Sequence, residues 1–234
     1  MTRRRRPPSL RCTLLGAGAM RSPELAPAGL LVRFGDVRVM LDGGPGAAPD
    51  RRPDAWLVTD ARAELIGEIR RLARALGCEP EVASFQRGGL RVRPIPVVHT
   101  SHPTVGYRIT ARALRVVWAP EFLEFPPWAA GADLMFADAA SWNRRIYFVG
   151  RVGGHASAAE VSVEAARRKV RRLVLAHIGR STLRALHQGL RPAFGELGRQ
   201  GREYRPSSSR AVPPPLRPGG GSPPGRGRSR ASPR

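Results

Sequence analysis

The chain has 234 residues, 41% of them hydrophobic, and a formal net charge of +22. That length supports one well-buried core, or two at most. No apolar run nears the ~20 residues of a membrane span, and the two cysteines, Cys12 and Cys78, imply neither a disulfide framework nor a Cys-rich zinc site, so the expectation is a soluble cytoplasmic protein.

In chain order, residues 1–9 form a basic arm with Arg3, Arg4, Arg5 and Arg6, expected to be disordered. The opening MTRRRRPPSLRCTLLGAGAM imitates a secretory signal, but Arg11 interrupts its apolar part and the stretch reads better as a first strand and turn. Strands are predicted near 10–16, 29–34, 37–42 and 55–59, and Gly35-Asp36 between two β-rich runs predicts a hairpin. At Thr59, in WLVTDARAELIG, the pattern switches: Leu65, Ile66, Ile69, Leu72 and Leu76 recur at helical spacing and predict a helix over 61–77. Asp60 stands just before that helix, where a carboxylate can cap free backbone amides. Further strands are predicted near 90–98, 105–110, 114–119, 133–138 and 172–176, with helices near 158–169 and 181–188. Cys12, in the first strand, and Cys78, after the first helix, read as buried small hydrophobes.

The tail over 206–234 is low-complexity, contains six arginines and no acid, and is expected to be disordered. Between the arms, residues 10–205 form the expected domain, itself basic, with Lys169 its only lysine. Strands dominate the first half and helices intervene at intervals, which predicts an α/β (α+β) fold of two mixed sheets packed together with helices outside. Such an arginine excess attracts phosphates, on nucleic acid or on a small molecule; its bland counterpart is a solvated surface. The pattern contains no aromatic-rich basic face of the kind that serves as a single-strand platform.

Four segments carry a family resemblance. LLGAGAMRSPELAPAGLLVRFGDVRVMLDGGPG resembles the opening of the metallo-β-lactamase superfamily: a strand, a Gly-rich turn, and a hairpin ending in an Asp-Gly-Gly turn at Asp42, Gly43 and Gly44. VVHTSHPTVGYRI resembles the segment of the ribonuclease Z and cyclic phosphodiesterase branches in which a ligand His precedes Gly-Tyr. VVWAPEF sits where the family has a strand ending in a bridging Asp, and GGHASAAEVSVEAARRKVRRLVLAHIGR resembles the closing His-x-Ser loop, helix and ligand-His strand. The resemblance spans about residues 10–205 and implies a four-layer αβ/βα sandwich. It also implies His99 or His102 at the third ligand position, Glu121 in place of the bridging Asp, and His177 as the last ligand. His155, followed by Ser157, matches the loop His that stabilises the phosphate or protonates the leaving group.

The departure lies at the first helix. The family motif T-H-x-H-x-D-H-x-x-G falls on TDARAELIG, which keeps Thr59 and Gly67 and puts Asp60, Arg62, Glu64 and Leu65 at the ligand positions. Asp60 and Glu64 still offer oxygen, whereas Leu65 has no lone pair and Arg62 is a permanent cation. Two unit charges 4 Å apart interact by about 4 kcal/mol at an effective dielectric of 20, and a divalent ion roughly doubles the repulsion. A two-metal centre is therefore not expected. Two readings of the turn stay open. In one, a single zinc or other divalent ion is held by histidine and carboxylate drawn from His99, His102, Glu121 and His177, with Asp60 and Glu64 beside it. In the other no metal binds, and Arg62 joins Asp60 and Glu64 into an Arg-carboxylate plug.

Two functions follow. The first is a metal-dependent hydrolase with an altered, mononuclear site acting on a phosphodiester or other ester, with His155 assisting the leaving oxygen. The alternative is a catalytically inactive member of the fold that binds nucleic acid or an acidic partner through its basic surface. His187 reads as structural, and Glu124 and Asp138 as surface or supporting groups.

Overall fold

The computed structural model describes residues 8–100, 102–147 and 153–207. The first strands are β1 (Leu10–Gly16), β2 (Gly29–Phe34), β3 (Val37–Asp42) and β4 (Ala55–Leu57), followed by helix α1 (Ile66–Ala75). Next come β5 (Pro80–Glu81), β6 (Phe85–Arg87), β7 (Leu90–Val97), β8 (Thr104–Ala111) and β9 (Leu114–Ala119), then a 3-10 turn over Pro127–Ala129. The chain closes with β10 (Leu134–Ala139), α2 (Ala158–Arg167), β11 (Leu173–Ile178), α3 (Arg180–His187), β12 (Glu196–Leu197) and β13 (Glu203–Tyr204).

Both sheets are mixed. The first has the order β13-β1-β2-β3-β4-β5, antiparallel up to β3 and parallel from there. The second has the order β12-β11-β10-β9-β8-β7-β6, antiparallel from β6 to β9 and parallel from β9 to β12. The expected hairpin is present, with Phe34 opposite Val37 and Gly35 at φ +60.

Strand parity explains the layers. Leu30, Val32, Val39 and Leu41 face the second sheet, while Leu31 and Met40 point the other way and pack with Trp56, Val58, Ile69 and Ala73 under α1. Both faces of β2 and β3 are thus covered, and the two strands are buried almost throughout. On the far side α2 packs against β10 and β11 through Val161 and Ala165. The result is helix, sheet, sheet, helix, as expected. The central layer holds Trp118, Tyr107, Phe136 and Tyr204, all fully buried; side chains of this kind contribute about 1.5–3 kcal/mol each.

The elements differ from expectation in two ways. β4 stops at Leu57 and α1 starts at Ile66, so 58–65 is a long turn in place of a strand end and a first helical turn. The strands β5, β6, β12 and β13, of two or three residues each, are too short to show a period. The arm and tail fall mostly on 1–7 and 208–234, outside the described residues. Among the described residues no helix is long and apolar enough to cross a membrane.

Candidate functional site

The chain delivers its polar residues to one edge of the sandwich because its strands end there. Asp42 closes β3, Asp60 follows β4, His99 follows β7, Glu121 follows β9, Asp138 lies near the end of β10, and His177 near the end of β11. In sheets with parallel strands, the carboxyl ends open onto the crevice where ligands bind. The cleft there measures about 240 Å³ and is lined by Asp42, Asp60, His99, His102, Glu121, His155 and His177, with Met20, Leu65 and Ile69 on its apolar wall.

Asp42 ties the two sheets at the floor. Its Oδ1 accepts from the Thr59 N–H at 2.7 Å and the Thr59 hydroxyl at 3.0 Å, and its Oδ2 accepts from Trp118 Nε1 at 2.7 Å. Burial raises its carboxyl to about 7, against the pull of those three donors. The turn around it is the expected Asp-Gly-Gly. Asp42 takes φ +50 and Gly43 φ +99, and a Cβ on Gly43 would meet the Ala47 carbonyl at 2.4 Å, so only glycine fits.

Three histidines cluster around Glu121. His99 Nε2 lies 3.0 Å from Glu121 Oε2, and His177 Nδ1 lies 3.3 Å from Oε1. His99 Nδ1 donates to the Gly154 carbonyl at 2.8 Å, which fixes the ring and leaves Nε2 facing the carboxylate. The His155 ring meets His99 edge-on at 4.8 Å and stacks on His177 at 5.3 Å. His177 is aimed by a bulge: the β10–β11 register slips between Ala137 and Ala139, and His177 takes φ +54. Burial disfavours a charged His99, but the hydrogen bond and charge of Glu121 outweigh it and hold the ring at about 9. His177 is pushed down by burial. Burial alone would raise Glu121, yet the facing imidazoles of His177 and His99 hold it below the ordinary carboxylate range.

His155 belongs to a second unit. Its Nδ1 lies 2.8 Å from Asp138 Oδ2, and Asp138 is fully buried, its oxygens also accepting from the Phe122 and Ala140 backbone amides. Burial opposes a charge on His155, and the Asp138 carboxylate overcomes it and raises the ring above its usual value. Asp138 is thus the residue whose role sequence reasoning undervalued. The available signal was a lone carboxylate in the apolar strand LMFADA, since a buried charge requires a partner. Ser157 does not touch His155: it caps α2, accepting from the Glu160 N–H while Glu160 reaches back to it.

The rewritten turn is held neither by a helix cap nor by an Arg-carboxylate cluster. Asp60 does not cap α1, whose first turn has no side-chain cap; its Oδ1 accepts from Arg62 N–H at 2.7 Å within the turn. Both of its oxygens meet His102 Nε2, at 2.8 and 3.0 Å. Arg62 and Glu64 border the cleft but are exposed, and neither forms an ion pair among the described residues, so the plug is His102 with Asp60 and not an Arg cluster. Leu65 packs partly buried beside the α1 core. His187 is exposed and pairs with Glu24 at 3.5 Å, and Glu124 is exposed and does not line the cleft.

Against known proteins, residues 56–178 match the model of the beta-lactamase superfamily domain, more than half of the chain. The chain belongs to that superfamily. No curated protein matches it in sequence. Among solved structures it is similar to the metallo-beta-lactamase fold protein YhfI from Bacillus subtilis, with TM-score 0.63 and 16% identity over 84% of this chain and 99% of that one. A diphosphatase from the PhnP family aligns with TM-score 0.62 and 17% identity over 84% and 97% of the two chains. The short form of human tRNase Z aligns with TM-score 0.59 and 12% identity over 84% and 99%. These likenesses establish the metallo-β-lactamase fold, as the four sequence segments implied.

A superfamily of this name raises the question of metal. Two ions do not fit: Leu65 has no donor, Arg62 is cationic, and Asp60 is already spent on His102. Among the described residues no three donors are spread into a ready coordination shell, because Glu121 is closed onto its two histidines. The donor set itself fits one ion. Two imidazoles and a carboxylate are a zinc-type set, and the bond from His99 Nδ1 to the Gly154 carbonyl leaves Nε2 as the nitrogen that faces the site.

Proposed function

We propose that the protein is a mononuclear metal-dependent hydrolase of a phosphodiester or other ester, with His99, Glu121 and His177 as the residues that would hold the ion. When bound, a zinc or similar ion supplies a Lewis acid and a water of lowered pKa. The observation that carries this reading is the pairing of that donor set with a separate acid–base unit, His155–Asp138, stacked directly on it at 5.3 Å.

The side chains divide the work. Asp138 fixes His155 through Nδ1, so Nε2 is the nitrogen left to exchange a proton with the substrate. The Asp138 carboxylate raises the His155 pKa and so favours its protonated form, which suits a general acid that protonates a departing oxygen. The hydrogen bond from His99 to Gly154 keeps its Nε2 on the inner side of the cleft. Asp60 and His102 hold the mouth together, joining the loop after β4 to the loop before β8. Glu64, exposed at the rim, stands outside this chemistry.

Elemental analysis of protein purified without chelator tests the reading. About one zinc or other divalent ion per chain is expected, with loss in His99→Ala and in His177→Ala. A metal-free parent that still fails to take up zinc on dialysis would remove the mechanism. With metal present, Asp138→Asn should slow hydrolysis of bis(4-nitrophenyl) phosphate by about 10–100-fold at unchanged metal content, as expected when an orienting partner is lost.

A further inference from the structure

Outside the cleft, the outer face of the second sheet carries a row of arginines. Leu90 and Val92 of β7 point into the core, so Arg91 and Arg93 point out, and both are exposed. Register sets Arg93 opposite Arg108, and Arg91 opposite Thr110, which in turn faces Arg115. Like charges directly opposite one another destabilise a sheet. Even so, none of the four has a carboxylate partner among the described residues. The acids nearby are committed: Asp54 pairs with Arg87 at 2.6 Å, and Asp133 takes Arg171 at 2.7 Å and the Arg115 backbone N–H at 2.8 Å.

Two of these arginines are held in place. Arg108 Nη2 donates to the Trp128 carbonyl at 3.1 Å, and Arg115 Nη2 donates to the Ala130 carbonyl at 2.6 Å. Arg108 also lies 5.9 Å from the Trp128 ring centroid, and its Nε is buried with no partner. The Trp128 ring lies on the sheet over Gly106, where a Cβ would meet it at 3.0 Å, and it is only partly buried. A flat aromatic ring therefore lies against Arg108, on the sheet face that also carries Arg91, Arg93 and Arg115.

We propose that this face docks single-stranded nucleic acid, with backbone phosphates on Arg91, Arg93, Arg108 and Arg115 and a base stacked on Trp128. Cations two residues apart on a strand repeat every ~6.7 Å, a spacing that serves a chain of phosphates, and the aromatic ring offers what a lipid surface or an acidic peptide would not use. β7, which carries Arg91 and Arg93, ends at Val97, two residues before His99 at the cleft. The docking face does not depend on the metal reading.

Fluorescence anisotropy with a dye-labelled oligouridylate of about 12 nucleotides, the full chain and excess chelator tests it across a salt series. Arg91→Glu/Arg93→Glu should weaken binding at least about tenfold and flatten the log–log salt slope by about 1.4, the share of two phosphate contacts. Arg70→Glu/Arg71→Glu makes the same charge change on exposed positions of α1 and should weaken it less than about threefold. Trp128→Ala should weaken binding about fivefold at an unchanged slope, since stacking is not ionic. Equal losses in the two double variants would overturn the proposal in favour of net charge alone. Tighter binding to phosphatidylserine vesicles than to the oligonucleotide would overturn it in favour of a membrane surface. Chelator keeps the outcome separate from metal content: a chain that binds no zinc can pass, and a zinc protein can fail.

Discussion

Asp60 shows how a single position can keep its place and change its work. In the sequence it stands at a ligand position before a helix; in the fold it is buried, and His102, partly exposed at the cleft mouth, takes both of its oxygens. The loop after β4 and the loop before β8 are joined here by the hydrogen bonds between His102 and Asp60. His102→Ala leaves a buried carboxylate with only the Arg62 amide, and should lower stability by about 1–3 kcal/mol, the cost of a stranded polar group. Urea unfolding of the two proteins measures the difference, and Asp60→Asn/His102→Ala should recover part of it because the stranded charge is gone. The sequence placed Asp60 and His102 near one another only through the assumed fold, since 42 residues separate them. No local pattern could pair them.

At the scale of elements, the long strands and α2 were legible because their patterns are strong and their ends carry chemical signals. Ser157 with Glu160 is such a signal: a capping box at the start of α2, formed by both reciprocal bonds. Ser157→Ala should cost about 1 kcal/mol, read as a lowered urea midpoint, with Ser157→Asp close to the parent. Because Ser157 does not touch His155, metal content should not change. Helix α1 was harder to bound, since its apolar spacing runs back to Leu65 while the backbone before Ile66 follows the bonds of Asp60 and the turn. Local periodicity says which face is buried, and tertiary bonds say where the helix begins. The edge strands β12 and β13 stayed invisible for a related reason: two residues carry no period, and they are strands only because β11 and β1 lie beside them.

For the whole molecule, the charge cluster at the cleft makes stability depend on pH. His99 is held at about 9 in the fold against 6.5 for an ordinary imidazole, so the folded chain binds that proton more tightly than the unfolded one. Its stabilising share is fully present below about 6.5 and is lost as the pH rises through about 9. His155, also raised, acts in the same direction, whereas the lowered His177 acts below 6.5, where it favours the fold less as the pH falls. In chelator, the urea midpoint should fall between pH 6.5 and 9, and His99→Gln should remove part of that fall and leave the His155 share. A midpoint flat over that range would show that Glu121 does not charge His99.

By itself the sequence determined the two mixed sheets, the positions of their long strands and the Asp-Gly-Gly turn, and it set which donor atoms stand where the superfamily motif falls. Those depend on alternation, on glycine's freedom at φ +99 in Gly43, and on the donor atoms a side chain has or lacks. Only the tertiary structure decided the pairings: His99 and not His102 on Glu121, Asp138 behind His155, Asp60 on His102, and four arginines brought onto one sheet face with Arg108 against Trp128. The physical reason is distance along the chain. Residues that meet across strand ends or strand register are brought together by the sheets, and no period within either segment records the partner.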